Sequence, residues 1–306
     1  ESHSFEPVRV LQWRSTDLDF ASVGALQVSL AQAPRHEALT RAPVAEDLRV
    51  LEHIARDAEM REMAAEGLSR AEMAARLTEA QISISNLKVN QGLTFGLQIN
   101  EFRDDTKDFA ALKGMPLRSL KISGAQAIRN LEPLAGMPLE KLSVIGAAFD
   151  SIEPLRGLPL VELDLSQCKW EGDLRPLAGM PLASLDLSSW RGSDLRPLAG
   201  MRIANLDLGG CPNLKDLTPL AGLPVTNLVL RDCKSVRDIA PLAQMPLQRL
   251  VLQNTAVSDL TPLQGMPMVV LDLHTSPAKS LAPLHGLKLR WLDISFASAT
   301  NLSPLR

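Results

Sequence analysis

The residues best suited to acid–base or metal chemistry are a histidine and two aspartates late in the chain. Asp272 lies two residues before His274, so both side chains would point to one face of a β-strand. Asp293 occupies the matching position in the next Leu-x-Leu segment. Such groups can bind a metal weakly or transfer protons. His53 and Asp57 are one helical turn apart, a spacing at which both side chains are ordinarily solvated.

Three cysteines could in principle act as nucleophiles, metal ligands or disulfide partners. Cys168, Cys211 and Cys233 each stand three residues after a Leu-x-Leu segment. No Cys-x-x-Cys spacing for zinc is present, and no neighbouring base marks a nucleophile. Cys211 and Cys233 remain close enough along the chain for a disulfide between adjacent units. We favour a structural role, in which the buried side chain satisfies backbone where a strand turns into a loop.

Composition and motifs exclude several classes of function. The sequence has no P-loop and no zinc-protease, serine-hydrolase or kinase motif. The net charge of −3 does not match nucleic acid, and no apolar stretch is long enough to span a membrane. We therefore predict no catalytic residue, no metal, no cofactor, no nucleic acid and no membrane partner. The compartment stays open between the cytoplasm and secretion.

A repeated segment organises most of the chain. Pro-Leu, followed a few residues later by Gly-Met-Pro-Leu or a close variant, recurs every 21 or 22 residues. The copies start at Pro133, Pro154, Pro176, Pro197, Pro219, Pro241, Pro262, Pro283 and Pro304. A fixed period of this length predicts a solenoid, in which each unit buries its apolar side against its neighbours.

One copy contains Leu160-x-x-Leu163-x-Leu165-x-x-Cys168, which fits the leucine-rich repeat signature. Over residues 91–306 the chain resembles the bacterial leucine-rich repeats of the internalin type, whose units also contain Ile/Leu-x-Pro-Leu. The resemblance implies an α/β fold: a curved parallel β-sheet with short helical turns on the convex side. It also implies that the cysteine position, which holds Asn or Cys in that family, points inward.

Within each unit we expect one short strand, whose two apolar residues face inward and whose middle residue faces out. The ten strand cores are Leu97–Ile99, Leu120–Ile122, Leu142–Val144, Leu163–Leu165, Leu185–Leu187, Leu206–Leu208, Leu228–Leu230, Leu250–Leu252, Leu271–Leu273 and Leu292–Ile294. The Met residues of the Gly-Met segment could form a metal site or an adaptable groove, but their fixed position favours filling of the convex core.

The return side of each unit should begin with a capped helical turn. The expected capping residues are Asp173, Asp194, Asp216, Asp238, Asp259, Asn130, Ser151, Ser280 and Asn301. The Gly after the turn, such as Gly179, should adopt a backbone conformation closed to other residues. Gln244 replaces this Gly, and Arg202 and Lys288 replace the next Pro. We expect those three junctions to be less regular.

The chain before the repeats has a different character. Residues 1–41 are unclear, and residues 42–90 predict a helical N-terminal cap with helices at 43–66 and from Ser69 onward. Residues 60–90 also resemble a degenerate helix-turn-helix of a DNA-binding regulator. This part of the chain is acidic and its would-be reading segment carries only Lys88 as a cation. We therefore prefer a cap that covers the first repeat.

The outward residues of the strands form the candidate binding surface on the concave face. We expect the following residues to contact a partner: Lys121, Lys141, Glu162, Asp164, Asp186, Asn205, Asp207, Asn227, Arg231, Arg249, Asp272, His274, Trp291 and Asp293. The surface is zoned, with a basic start (Arg118, Lys121 and Lys141), an acidic middle, a patch around Val229 and Val251, and an aromatic far end. An acidic floor would suit a protein or peptide with a basic patch.

The sequence therefore predicts a protein-recognition module, and the resemblance implies a substrate-recruiting arm of a larger, effector-like bacterial protein. The alternatives are a merely solvated face, an enzyme whose chemistry lies outside the repeats, or the DNA-binding regulator. We expect a monomer whose last repeat is covered by further chain past Arg306 or by another protein. Asp186→Lys with Asp207→Lys should abolish partner capture and leave the fold intact.

Overall fold

The computed structural model describes residues 87–90, 94–99 and 110–305, apart from positions 125, 127 and 169. The N-terminal segment 1–41, both predicted helices and most of the helix-turn-helix alternative lie outside these residues. Within the range assigned to the cap, Leu87–Asn90 forms a β-strand that pairs with the next strand in antiparallel fashion.

An eleven-stranded sheet runs the length of the described chain, with strands in sequence order. From β2 to β11 each strand pairs in parallel with the next. The strands are β1 Leu87–Asn90, β2 Thr94–Ile99, β3 Leu117–Ile122, β4 Lys141–Val144, β5 Glu162–Asp164, β6 Ser184–Asp186, β7 Asn205–Asp207, β8 Asn227–Val229, β9 Arg249–Val251, β10 Val270–Asp272 and β11 Trp291–Asp293. This confirms the ten predicted strands and the leucine-rich repeat solenoid.

Opposite the sheet, each unit returns through a single turn of 3₁₀ helix rather than a longer helix. These turns are Ala110–Leu112, Glu132–Leu134, Glu153–Leu155, Arg175–Leu177, Arg196–Leu198, Thr218–Leu220, Ala240–Leu242, Thr261–Leu263, Ala282–Leu284 and Ser303–Leu305. A unit of this length has no room for a longer helix once the strand and two links are placed.

All nine predicted capping residues are confirmed. In each, a side-chain oxygen accepts a hydrogen bond from the backbone N–H of the first residue of the turn, at 2.8–3.3 Å. The proline follows that residue, where its missing N–H leaves no bond unmade. Arg196 adds an ion pair to the capping Asp194, and the pKa of that carboxyl falls to about 2, chiefly because of this side-chain bond.

The position after the turn is left-handed, as the glycine pattern predicts, but it is not closed to other residues. Gly179 has φ +76°, and Gln244 adopts the same region at φ +64°. Met245 N–H donates to Leu242 O at 3.1 Å, the same distance as from Met180 to Leu177. The strands flanking Arg202 and Lys288 also pair in register. The expectation of irregular junctions is wrong, because turn bonds and the buried residues on either side fix the local geometry.

Gln244 nevertheless carries the conformational strain of a side chain at positive φ. We expect Gln244→Gly to raise the free energy of unfolding by about 0.5–1 kcal/mol, since glycine adopts this conformation without strain. Gln264 provides the matched control, because it is also exposed but has φ −60°. Gln264→Gly should lower stability by a similar amount. Urea unfolding followed by circular dichroism measures both, and equal signs for the two variants would contradict the explanation.

The core is a set of parallel ladders between the sheet and the turns. The strand leucines from Leu120 to Leu273 are at most 2% exposed, and the Met residues from Met115 to Met268 are at most 6% exposed. The prediction that methionine fills the convex core is therefore confirmed. Burial of these side chains in stacked units is the main stabilising contribution.

The cysteines behave as the structural interpretation predicts. All three are free and buried. Each S–H donates to a backbone carbonyl of the preceding unit: Cys168 to Val144 O at 3.0 Å, Cys211 to Leu187 O at 3.5 Å and Cys233 to Leu208 O at 2.9 Å. In other units Thr255 and Ser276 hydroxyls make backbone bonds from the same position.

Candidate functional site

The sheet face opposite the core, here called the open face, carries three columns of outward residues. Strand register places the leading column as Ser119, Lys141, Glu162, Ser184, Asn205, Asn227, Arg249, Val270 and Trp291. The central column is Lys121, Ser143, Asp164, Asp186, Asp207, Val229, Val251, Asp272 and Asp293. The trailing column follows each strand and includes Arg231 and His274. All fourteen predicted contact residues therefore belong to one face.

The basic start of the open face is largely neutralised by the chain itself. Arg118 donates to Glu140 at 2.9 Å, and Lys141 donates to Glu162 at 2.6 Å. The Arg118–Glu140 pair is half-buried and the Lys141–Glu162 pair is exposed, and an exposed pair contributes at most about 1 kcal/mol. They nevertheless pair Arg118 and Lys141 with carboxylates of this chain, whereas the sequence alone suggests that both cations are available to bind a partner. Glu140 is the residue that sequence reasoning missed, because its partner lies one repeat away.

The aspartates of the central column have a structural role that the sequence analysis did not assign. In every case Oδ1 accepts the backbone N–H two residues later, at 2.7–2.9 Å: Asp164 from Ser166, Asp186 from Ser188, Asp207 from Gly209, Asp272 from His274 and Asp293 from Ser295. This bond shapes the exit of each strand. Charge reversal to Lys would remove it, so Asp186→Lys with Asp207→Lys is not neutral for the fold.

Asn keeps the accepting oxygen and removes only the charge. It is therefore the correct probe of the acidic floor. The Asp-x-Ser and Asp-x-Gly spacing, repeated after successive strands, is the sequence signal that could have revealed this role.

The acidic middle is concentrated at Asp186 and Asp207. Both are half-buried, and among the described residues no Lys, Arg or His forms an ion pair with either. Burial raises the pKa of Asp186 above its ordinary value, and the charges of Asp207 and Asp164 add to the rise, while hydrogen bonds from the backbone N–H and the side chain of Ser188 oppose it. The second oxygen of Asp164 accepts a hydrogen bond from the Ser143 hydroxyl at 2.8 Å.

A pH prediction follows from the raised pKa of Asp186. The folded protein holds this proton more tightly than the unfolded chain does, so the carboxylate costs stability above its folded pKa and nothing below its unfolded pKa. We expect Asp186→Asn to raise the free energy of unfolding near neutral pH by a few tenths to about 1 kcal/mol, the range for like charges on paired strands. The gain should disappear as the pH falls below about 3.9, the ordinary pKa of Asp.

Asp194→Asn is the control of opposite sign. The pKa of Asp194 is lowered to about 2, chiefly through its side-chain bond to Arg196. Its stabilising effect is present above the unfolded pKa and is lost as the pH falls through the folded one. The variant should therefore be less stable near neutral pH and indistinguishable from the wild type in strong acid. Thermal unfolding across pH 2–7 tests both variants, and a pH-independent gain for Asp186→Asn would refute the electrostatic cause.

From β8 onward apolar side chains appear on the open face among the polar ones. Val229 and Val251 are paired in register, and Val251 is only 5% exposed although it lies on the side away from the core ladders. Val270 is paired with Trp291, which is 47% exposed. The repeat pattern already places Val270 beside Trp291 in the leading column, but Val270 is not among the fourteen predicted contact residues.

Asp272 and His274, the candidate acid–base pair, do not form a hydrogen bond between the carboxylate and the imidazole ring among the bonds of the described residues. The carboxylate of Asp272 accepts the backbone N–H of His274, and the His274 ring packs edge-on against Phe296 at a centroid distance of 5.5 Å. Asp293 has a lowered pKa, chiefly because of the Ser295 hydroxyl, with a smaller contribution from His274. Within the described residues there is no group of three or more His, Cys, Asp or Glu side chains that could hold a metal. None of the described helices is long and apolar enough to cross a membrane.

Comparisons with known proteins identify the fold. No protein-family model matches the sequence, and no curated protein matches it significantly. Among solved structures the chain is similar to the internalin InlF of Listeria monocytogenes, with TM-score 0.59 and 23% identity over 81% of this chain and 71% of that chain. It is also similar to internalin C2 of the same species, with TM-score 0.47 and 23% identity over 68% of this chain and 89% of that chain. At this identity the likeness to InlF concerns the fold, and the chain is a leucine-rich repeat solenoid of the architecture seen in that internalin.

Proposed function

We propose that this chain is a protein-recognition module that binds a basic surface of a partner protein on its open face, the concave face of the solenoid. The observation that supports this most directly is the Asp186–Asp207 pair. Two neighbouring carboxylates lie half-buried at the middle of the sheet, and no cation among the described residues neutralises them. A Lys or Arg side chain of a partner would supply that missing charge.

Stability alone gives no reason for charge at these two positions. The structural bond needs only Oδ1, which Asn would provide equally well, and the leading column does carry Asn205 and Asn227 beside them. The raised pKa of Asp186 means that its ionisation opposes folding. A group that is structurally replaceable and electrostatically unfavourable is typical of a site where charge serves binding.

The rigid sheet favours recognition over a solvated face. Backbone hydrogen bonds link every neighbouring pair of strands from β2 to β11, so the outward side chains are held in fixed relative positions. A preorganised surface loses little conformational entropy on binding.

We infer that the module acts as a recruiting arm in a larger bacterial, effector-like protein.

The test uses charge-neutral variants with a matched control. The double variant Asp186→Asn with Asp207→Asn should no longer capture the protein that the wild-type chain binds in a proteome, as measured by quantitative mass spectrometry. Its thermal unfolding temperature should equal or exceed that of the wild type. The control double variant Asp194→Asn with Asp216→Asn neutralises two aspartates on the return turns and should still capture the partner protein. Capture should also weaken at high salt. Equal capture by both double variants would show that the acidic pair is not the site.

A further inference from the structure

A second zone of the open face has features that a basic partner surface does not explain. Four apolar side chains run diagonally across the last four strands, from the central column to the leading column: Val229, Val251, Val270 and Trp291, here called the apolar stripe. Neighbours on one face of paired strands lie about 5–8 Å apart, so the four form one connected band. Trp291 is the most exposed of the four, and Trp is among the commonest interface anchors.

Two cations border the apolar stripe. Arg249 lies in the leading column between Asn227 and Val270 and is exposed. Among the described residues no carboxylate lies within ion-pair distance of Arg249. Arg231, in the trailing column beside Val229, reaches only the adjacent Asp232, at 3.8 Å. This charge is opposite to that of the acidic pair on β6 and β7.

Asn227 adds an unmet hydrogen-bonding group at the same place. Its Oδ1 is shielded from solvent and has no hydrogen-bond partner among the described residues. Leaving such an acceptor unsatisfied is costly, typically by about 1–3 kcal/mol. Because this oxygen has almost no accessible surface, a donor from a docked chain would meet it only after the amide rotates outward.

We propose that the apolar stripe, with Arg249 and Arg231 at its border, binds an apolar side chain flanked by a carboxylate on the same partner whose basic side chain meets Asp186 and Asp207. This inference rests on the proposed function and specifies the partner. Charge complementarity fixes its orientation: the basic group lies over β6 and β7, and the carboxylate lies over β8 and β9 beside Arg231 and Arg249, away from Asp272 and Asp293 on β10 and β11.

The spacing sets the size of the partner segment. Strands in a sheet are about 4.8 Å apart, so β7 and β11 are separated by roughly 19 Å. An extended chain rises about 3.3 Å per residue, so about three residues bridge β7 and Arg249 on β9, and about six bridge β7 and Trp291 on β11. A single amino acid is too short to reach both, whereas a peptide of about twelve residues reaches both with margin.

The experiment is a selection of random twelve-residue peptides displayed on phage against the full 306-residue chain. We expect enriched peptides to contain a Lys or Arg, an Asp or Glu about three residues away, and an apolar residue about three to six residues away. Trp291→Ala and Arg249→Glu should each weaken binding of a synthetic enriched peptide about tenfold or more, equal to about 1.4 kcal/mol. Selection against Arg249→Glu should replace the peptide's acid with Lys or Arg.

Matched controls remove the same chemistry elsewhere. Arg237→Glu reverses an exposed charge on the return side, and Val161→Ala trims an exposed apolar residue outside the stripe. Both should bind the peptide as the wild type does. Circular dichroism of each variant confirms that the solenoid is retained.

Each remaining outcome overturns the proposal in a distinguishable way. Peptides that need Asp186 and Asp207 but tolerate Trp291→Ala and Arg249→Glu would remove the stripe and leave the proposed function standing. Peptides indifferent to all four residues, or no enrichment on the wild-type chain, would count against both. Binding of a glycan that depends on Trp291, without peptide enrichment, would reassign the stripe to a carbohydrate.

Discussion

We expect Gly192→Ala to lower the free energy of unfolding by about 2–3 kcal/mol, the upper range for forcing extra atoms into a packed interior. A Cβ at this position would lie 2.1 Å from Cζ2 of Trp190. Trp190 is 3% exposed, its ring centroid is 6.1 Å from that of Trp170, and its Nε1–H donates to Gly172 O at 3.3 Å. The rigid indole is held on several sides, so it cannot move aside cheaply.

Gly200→Ala separates this steric effect from backbone strain. Gly200 has φ +75°, and a Cβ there would meet no other atom within 4 Å. Ala at this position therefore costs only conformational strain of about 1–2 kcal/mol. Gly192 does not have a left-handed φ, so its cost is the clash with the ring. A Trp190→Leu background should shrink the effect of Gly192→Ala in a double-mutant cycle measured by urea unfolding. If the effect is unchanged in that background, the ring contact is not the cause.

The same arrangement occurs one unit earlier and shows why it was not predicted. A Cβ on Gly172 would lie 2.1 Å from Nε1 of Trp170, whose ring also contacts Phe149 at a centroid distance of 5.8 Å. The repeated Trp-x-Gly spacing at Trp170 and Trp190 is visible in the sequence. Its structural role arises because each indole folds back over the backbone two residues later. Local sequence propensities do not predict that conformation.

The features that sequence did predict are those repeated at fixed spacing and decided locally. The ten strands follow from inward-facing leucines, because a slip of one residue would expose them. The nine capping bonds follow from short polar side chains two residues before the turn. Each is fixed by a few neighbouring residues, so the period alone places it correctly in every unit.

The features that sequence did not predict depend on contacts between units. The ion pair of Lys141 with Glu162 joins residues that become neighbours only after strand pairing. The apolar stripe is likewise diagonal, so Val270 joins it through the register of β9 with β10. The outward positions of the strands can therefore be read from the sequence, whereas the ion pairs that engage some of their charges are visible only in the structure.

The second prediction with a large expected effect concerns the rate at which the three buried cysteines react with a thiol reagent. We expect the native protein to react with Ellman's reagent at about pH 8 at least 100-fold more slowly than an exposed cysteine, because the thiolate is the reacting species. Burial raises the pKa of Cys168 to about 11, and interaction with the Cys233 thiol, together with burial, raises the pKa of Cys211. The same contact lowers the pKa of Cys233, so the slow reaction of that thiol depends on access alone. Access adds a further barrier, since the three side chains are at most 3% exposed.

The number of thiols distinguishes the two structural interpretations of Cys211 and Cys233. In guanidinium without reductant, the unfolded chain should release three equivalents of thiol, because all three cysteines are free. A disulfide between adjacent units would leave only Cys168 to react. Reduction before unfolding is the control and should then change nothing. Rapid reaction of the native protein would instead mean that the carbonyl bonds from Cys168, Cys211 and Cys233 do not hold these side chains inside the stack.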